Sequence, residues 1–194
     1  MKEGITVDEE IKRYFRQMDR SFYMEHDKDK AHMNRPFSIG HGQTISQPSL
    51  VLEMTLALGL EPHHKVLEIG TGSGFQTDLL ASFAEEVFTV ERIRPLYERA
   101  VEKLGQAGFK NIHFRCDNGS NGWPEEAPFD RIMVTAAAET IPHALIDQLK
   151  EGGKMIIPVG TFGLQELLQV TKKEDGEIIT KKLMYVQFVK LYDE

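Results

Sequence analysis

The sequence predicts an α/β fold: a doubly wound, mostly parallel sheet with helices on both faces and an antiparallel C-terminal edge. Three observations predict it. From Lys65 onward, short apolar runs alternate with segments of helical spacing, the pattern of a parallel sheet covered on both faces. The first run leads into alternating glycines, "GTGSG", at the start of a helix. The last quarter instead carries strand-like runs around Asp175-Gly176, a hairpin signal.

Each element has its own justification. Residues 7–19 place Ile11, Tyr14, Phe15 and Met18 at helical spacing. "MEHDKDKAHMNRP" is polar and breaks at Pro36, so it reads as loop or short turns. "GHGQTISQPS" (Gly40–Ser49) reads as a loop before the helix "PSLVLEMTLALGL", which has Pro48 near its start and Gly59 near its end. "KVLEIG" is a first buried strand, "FQTDLLASFA" a helix and "EVFTVE" a second strand. "RPLYERAVEKLGQAG" is a helix stopped by glycine, and "NIHFRC" is a third strand. "FDRIMVTAA" supplies a fourth, "PHALIDQLKEGG" a helix and "KMIIPVG" a fifth strand. With no internal repeat and no low-complexity linker, residues 1–194 read as one domain, with 1–36 as an N-terminal helical addition.

Composition narrows the function classes. Hydrophobic residues at 41% and charged residues at 27% describe a globular chain. No apolar run approaches the roughly 18–20 residues that span a bilayer, and the charged N-terminus resembles neither a signal peptide nor an anchor. One cysteine, Cys116, excludes an internal disulfide framework and fits a reducing cytoplasm, the expected location. The net charge of −7 argues against nucleic acid and acidic membranes as partners. Oligomeric state is not encoded in any feature of the sequence. The seven histidines show no metal-ligand spacing with acids or cysteine, so no metal is expected. Cys116 is expected to be a buried strand-end residue, and Trp123 and Phe129 to pack the core.

The glycine loop carries the first functional signal. Gly70, Gly72 and Gly74 let the backbone turn sharply and approach a ligand. A dinucleotide fingerprint would want glycine at position 75, where Phe75 stands. Glu91 ends the second strand, where an acid accepts hydrogen bonds from ribose hydroxyls; the competing reading is an ordinary capping acid. Glu68, inside the first strand, suits a cationic ligand better than a pyrophosphate, which it would repel. A ligand with a ribose and a positive charge is S-adenosyl-L-methionine.

"VLEIGTGSGFQTDLLA", "VFTVERI", "VTAAAETIP", "IPVG" and "GHGQTISQPS" together resemble the protein-L-isoaspartate O-methyltransferases, in that family's order and spacing, from about Pro36 to Leu191. The resemblance implies a Rossmann-like class I methyltransferase fold and methyl transfer from S-adenosyl-L-methionine to L-isoaspartyl carboxyl groups. The ester then closes to a succinimide, whose hydrolysis restores some normal aspartate: protein repair, with isoaspartyl-containing proteins and peptides as partners. It implies cofactor contacts at Glu68, Gly70, Thr71, Gly72, Gly74, Glu91, Asp117, Asn118 and Thr135, and a functional serine at Ser46. The alternatives are a methyltransferase of small molecules, a nicotinamide-dependent oxidoreductase and a non-catalytic module that keeps the fold as a binding scaffold.

On that reading the nucleophile is a carboxylate with a pKa near 4, ionised without a general base. Ser46 and Thr44 can orient it without the penalty of a lysine or arginine clamped on its lone pairs. A capped helix entry, with Ser46 or Gln47 bonding the first-turn amides, is the competing explanation. The chain departs from the family at Asp117-Asn118, where Gly-Asp is usual, which bears on cofactor affinity. The pairs Asn118-Gly119 and Asn121-Gly122 also predict self-deamidation, with Asn118 the consequential site.

Overall fold

The computed structural model describes residues 4–161 and 163–192. Helix α1 (Val7–Phe15) opens it, with Thr6 and Glu9 capping each other's amides. It stops four residues short of the predicted Asp19. Asp19 has extended backbone and accepts from the Ser21 amide, starting a 3-10 turn at Arg20–Tyr23 instead. A second 3-10 turn, Lys28–Lys30, lies within the predicted loop.

Strands β1 (Phe37–Gly40) and β2 (Gln43–Ile45) form an antiparallel hairpin where sequence suggested only a loop. Its turn places Gly40, His41 and Gly42 all at positive φ, and His41 at +55° is an uncommon conformation for a side chain with a Cβ. Helix α2 (Pro48–Leu58) follows, closed by Gly59 in the left-handed region.

The central sheet comprises β3 (Lys65–Ile69), β4 (Glu86–Val90), β5 (Ile112–Arg115), β6 (Phe129–Val134), β7 (Leu149–Val159), β8 (Gln165–Lys172) and β9 (Ile178–Val186). Their order is β5-β4-β3-β6-β7-β8-β9. The first five are parallel, and β8 and β9 run antiparallel. The predicted class holds. Helices α3 (Phe75–Ala81), α4 (Arg94–Gln106) and α5 (His143–Gln148) supply the crossovers.

Helix α5 is shorter than the predicted Pro142–Gly153. The Gln148 side chain accepts from the Trp123 amide (2.7 Å) and donates to Asn121 O (2.8 Å), and Leu149 already pairs with Phe129. Those tertiary bonds turn the chain into β7 before its glycines. The core lies on both faces of the sheet. Ile11, Tyr23 and Met24 share one cluster with Val66, Leu79 and Leu104, while Leu67, Ile69 and Phe129 anchor the other. The N-terminal segment therefore packs into the same core as the sheet. Phe129 is fully buried, Trp123 packs edge-on against Phe88, and Cys116 is only half-buried because β5 is an edge strand.

After β3 the chain builds β4 and β5 on one side, then returns to place β6 and β7 on the other. Such a switch point opens a crevice at the carboxyl ends of the strands. That position decides where the site lies.

Candidate functional site

The crevice is a cleft with about 900 Å³ of empty space, open mouth included. Its floor is the loop after β3. Gly70 sits at φ +96°, and a Cβ there would fall 2.4 Å from the Thr135 hydroxyl. Only glycine fits. Thr135, at the end of β6, lines the cleft, but its hydroxyl lies 2.7 Å from Gly70 O and 2.9 Å from Ile69 O. Its geometry braces the loop.

Glu91, just past β4, is buried, and each carboxylate oxygen holds one loop amide: Oε2 accepts from Gly72 N and Oε1 from Ile93 N, both at 2.9 Å. Each oxygen keeps a further lone-pair direction, so a vicinal diol can be bound by the pair. Thr71 and Gly72 complete this wall, together with Gly119.

Four sequence-predicted positions do not line the cleft: Glu68, Gly74, Asp117 and Asn118. Glu68 requires the plainest correction. Alternation along β3 turns Val66 and Glu68 toward α3 and turns Leu67 and Ile69 the other way. Glu68 is fully buried, Oε2 accepts from Thr77 and Thr89 (both 2.6 Å), and Oε1 has no partner. Burial, aided by the Glu91 charge, pushes its carboxyl up to about 7. It supports the loop from beneath, since Thr89 also meets the Thr71 hydroxyl at 2.6 Å. Gly74 is the N-cap of α3. Asp117 is exposed beside Arg115, and Asn118 caps a short turn by accepting from Ser120 N at 3.0 Å. In that stretch it is Gly119 that reaches the cleft, packed so that a Cβ would lie 2.4 Å from Ile69.

The facing wall is the hairpin. Thr44 and Ser46 line the cleft with Gln43 and Ile39. The capping role considered for Ser46 is not observed. Gln47 is the N-cap of α2, but its side chain donates to the Ser49 hydroxyl (3.2 Å) and caps no amide, and the Ser49 amide is taken by Asn34 Oδ1 at 3.0 Å. Arg99 on α4 ties the hairpin down by donating to Ile39 O at 3.2 Å.

Sequence reasoning missed the third wall, Phe188–Tyr192. Buried Gln165 accepts from the Phe188 amide (2.8 Å), and Ala137 exchanges bonds with Val189 and Leu191 (2.8 Å each). The Arg92 guanidinium lies 4.1 Å from the Tyr192 ring centre. The only sequence signal was an apolar, aromatic tail beyond the last strand.

Spacing had also missed Glu61, His63 and His64, whose ligating atoms lie within 4.8 Å of one another. His64 Nδ1 already accepts the Glu61 amide at 2.9 Å, which puts the ring proton on Nε2. Neither nitrogen then offers a metal its lone pair without loss of that bond.

Comparison with known proteins decides the family. The chain matches the protein-L-isoaspartate(D-aspartate) O-methyltransferases over residues 1–194. It belongs to that family. A Polaromonas protein-L-isoaspartate O-methyltransferase 2 is 46% identical over 188 residues, covering 96% of this chain and 89% of that one. The Dictyoglomus thermophilum enzyme is 50% identical over 161 residues, covering 83% and 73%. A Plasmodium falciparum protein-L-isoaspartate O-methyltransferase, solved in complex with S-adenosyl-L-homocysteine, superposes with a TM-score of 0.83 at 29% identity, covering 98% of this chain and 94% of that one. The doubly wound sheet of this chain is thus the methyltransferase fold of the family. Among the described residues no helix is long and apolar enough to cross a membrane.

Proposed function

We propose that this methyltransferase esterifies the carboxylate of L-isoaspartyl residues in damaged proteins and peptides, with S-adenosyl-L-methionine as donor. The observation that carries it is the opposition of two unlike walls across one cleft. Glu91 and the glycine loop form a ribose-holding wall, and Thr44 and Ser46 form an uncharged hydroxyl wall. The residues present fit the cofactor, because the Gly70 backbone leaves no room for a Cβ and the Glu91 carboxylate retains acceptor capacity toward the cleft. Gly70, Thr71, Gly72, Glu91 and Gly119 would hold it.

When bound, the cofactor supplies a methyl group on a sulfonium that leaves as a neutral thioether. The acceptor carboxylate is ionised near neutrality. The protein therefore has no proton to remove. Its task is alignment in a site shielded from water, where the meeting of opposite charges is favoured. Ser46 and Thr44 donate hydrogen bonds that turn one carboxylate oxygen toward the methyl group. The hairpin carries no lysine or arginine between Phe37 and Ser49, and the two cations that line the cleft elsewhere are engaged, Arg92 over the Tyr192 ring and Lys190 with Glu139.

The test is methyl transfer to an isoaspartyl peptide, to its normal aspartyl twin and to free dicarboxylic acids, in the parent and in Ser46→Ala. The expected result is transfer to the isoaspartyl peptide alone, falling about ten- to a thousandfold in the variant with cofactor affinity unchanged. Preference for the free acids would replace the proposal with small-molecule methylation.

A further inference from the structure

Arg20 is a buried cation outside the cleft. It is buried at 5% exposure, on the 3-10 turn that follows α1. No carboxylate pairs with it among the described residues. Its guanidinium instead donates to backbone carbonyls: Ala31 (3.1 Å) and Met33 (3.0 Å) through Nη1, and Arg35 (2.8 Å) and Ser46 (3.0 Å) through Nη2, with Ile45 at 3.5 Å. Nε has no partner. A buried cation without a counter-ion is costly, and burial alone lowers its affinity for its proton. A leucine or methionine would fill the space but leave these carbonyls without a donor, so the side chain is there for its bonds and not for its bulk.

Geometry supplies a reason. The rigid fork of donors joins the polar segment before Pro36 to the last residues of the hairpin, ending on the carbonyl of Ser46 itself. The turn that carries Arg20 is pinned in turn. Tyr23 donates to Asp78 on α3, and Tyr14 donates to the other oxygen of Asp78 at 2.8 Å. Helix α3 begins at Phe75, and Phe75 and Gln76 line the cleft beside the glycine loop. A continuous set of bonds therefore runs from the cofactor-side helix, through Asp78, Tyr23 and Arg20, to Ser46.

We infer that Arg20 is a positioning residue for methyl transfer, holding the Ser46 backbone at a fixed distance from the glycine-loop helix through the Tyr23–Asp78 bond. The inference rests on Ser46 orienting the acceptor carboxylate. In-line transfer requires the acceptor and donor walls to keep their spacing, and a displacement of about 1 Å costs on the order of a hundredfold. Arg20 touches neither reactant. It acts through Ser46.

The experiment is a double-mutant cycle of Arg20→Lys with Ser46→Ala, read as kcat and KM for an isoaspartyl peptide and as S-adenosyl-L-homocysteine affinity by calorimetry. Lysine keeps the charge but cannot span these carbonyls. Arg20→Lys should lower kcat by about ten- to a hundredfold with cofactor affinity unchanged, and should add less than about threefold once Ser46 is alanine. Full kcat in Arg20→Lys, an equal loss in both backgrounds, or a parallel loss of cofactor affinity would each overturn the inference. If Ser46→Ala alone turns over normally, it is the role of Ser46 that fails, and the two failures are told apart. If Arg20→Lys does not fold, Tyr23→Phe replaces it, because it keeps the buried ring and removes only the bond to Asp78. The same loss of kcat confined to the Ser46 background supports the inference, and parental kcat refutes it.

Discussion

Two facing walls of the cleft are built by different means. The cofactor side consists of strand ends and the loop that joins them. Its positions lie within a few residues of β3, β4 and β6, and its main bonds are Glu91 to two nearby amides and Thr135 to two nearby carbonyls. The acceptor side is a hairpin of four and three residues that has little stability alone. It is held by side chains distant in sequence: Arg20 on Ser46 O, Asn34 on Ser49 N and Arg99 on Ile39 O. One wall belongs to the sheet. The other is fastened to it, and each can be perturbed without the other.

The largest expected effect separates them directly. Glu91→Ala removes the acceptors proposed for the ribose, and two charge-assisted hydrogen bonds are worth about 2–4 kcal/mol. S-adenosyl-L-homocysteine affinity should fall about thirty- to several-hundredfold by calorimetry. At saturating cofactor, KM for the isoaspartyl peptide should stay within about threefold of the parent, because Glu91 does not touch the hairpin. A comparable rise in peptide KM would show that the walls are coupled.

This division also explains what the sequence could tell. The meeting of the glycine loop and Glu91 at one cleft was legible because a strand–loop–helix unit states its geometry locally, in residue type and spacing. Glu68 was misplaced because β3 is apolar on both faces, so its pattern does not tell which face a polar residue takes. The hairpin was read as a loop because its strands are short and its turn needs His41 in a left-handed conformation. Arg20 and Asn34 lie in a charged, turn-rich segment where sequence gives each the look of a solvated side chain. Their partners are 26 and 15 residues away. The return of Phe188–Tyr192 over the cleft depends on bridges to Ala137, equally beyond any local signal.

A smaller effect sharpens the cofactor side by pH. Folded Glu68 titrates at about 7 against an ordinary 4.5, because burial disfavours its charge. The folded state thus holds this proton more tightly, and its stability declines as pH rises from 4.5 through 7. His64 has the opposite slope. Burial, with the Arg131 charge second, pushes it from 6.5 down to about 4, so stability is lost as pH falls below 6.5. The two nearly offset each other in the parent. In Glu68→Gln, which keeps an acceptor for Thr77 and Thr89, only the His64 slope remains. Urea unfolding should therefore show the variant gaining about 1 kcal/mol on the parent between pH 6 and 8. An unchanged difference across that range would mean Glu68 is charged when folded.

The smallest expected effect concerns the edge of the same wall, where sequence predicted self-damage at Asn118. Succinimide closure needs the Gly119 nitrogen to reach the Asn118 side-chain carbon, which requires freedom in both residues. The structure restrains both. The Asn118 side-chain Oδ1 accepts from Ser120 N at 3.0 Å, and Gly119 is buried with its Cβ direction filled by Ile69. Deamidation must wait for a local opening, and an opening that costs about 1.4 kcal/mol slows it tenfold. In the folded protein at mildly alkaline pH, Asn118 should deamidate at least about tenfold more slowly than in a peptide spanning Arg115–Trp123, as read by peptide mass analysis. Asn118→Asp keeps the same cap on Ser120 N, and its side chain does not line the cleft. S-adenosyl-L-homocysteine affinity should then change by less than about threefold. Equal rates in protein and peptide would show that this turn opens freely, and that the cofactor wall is less rigid here than at Gly70.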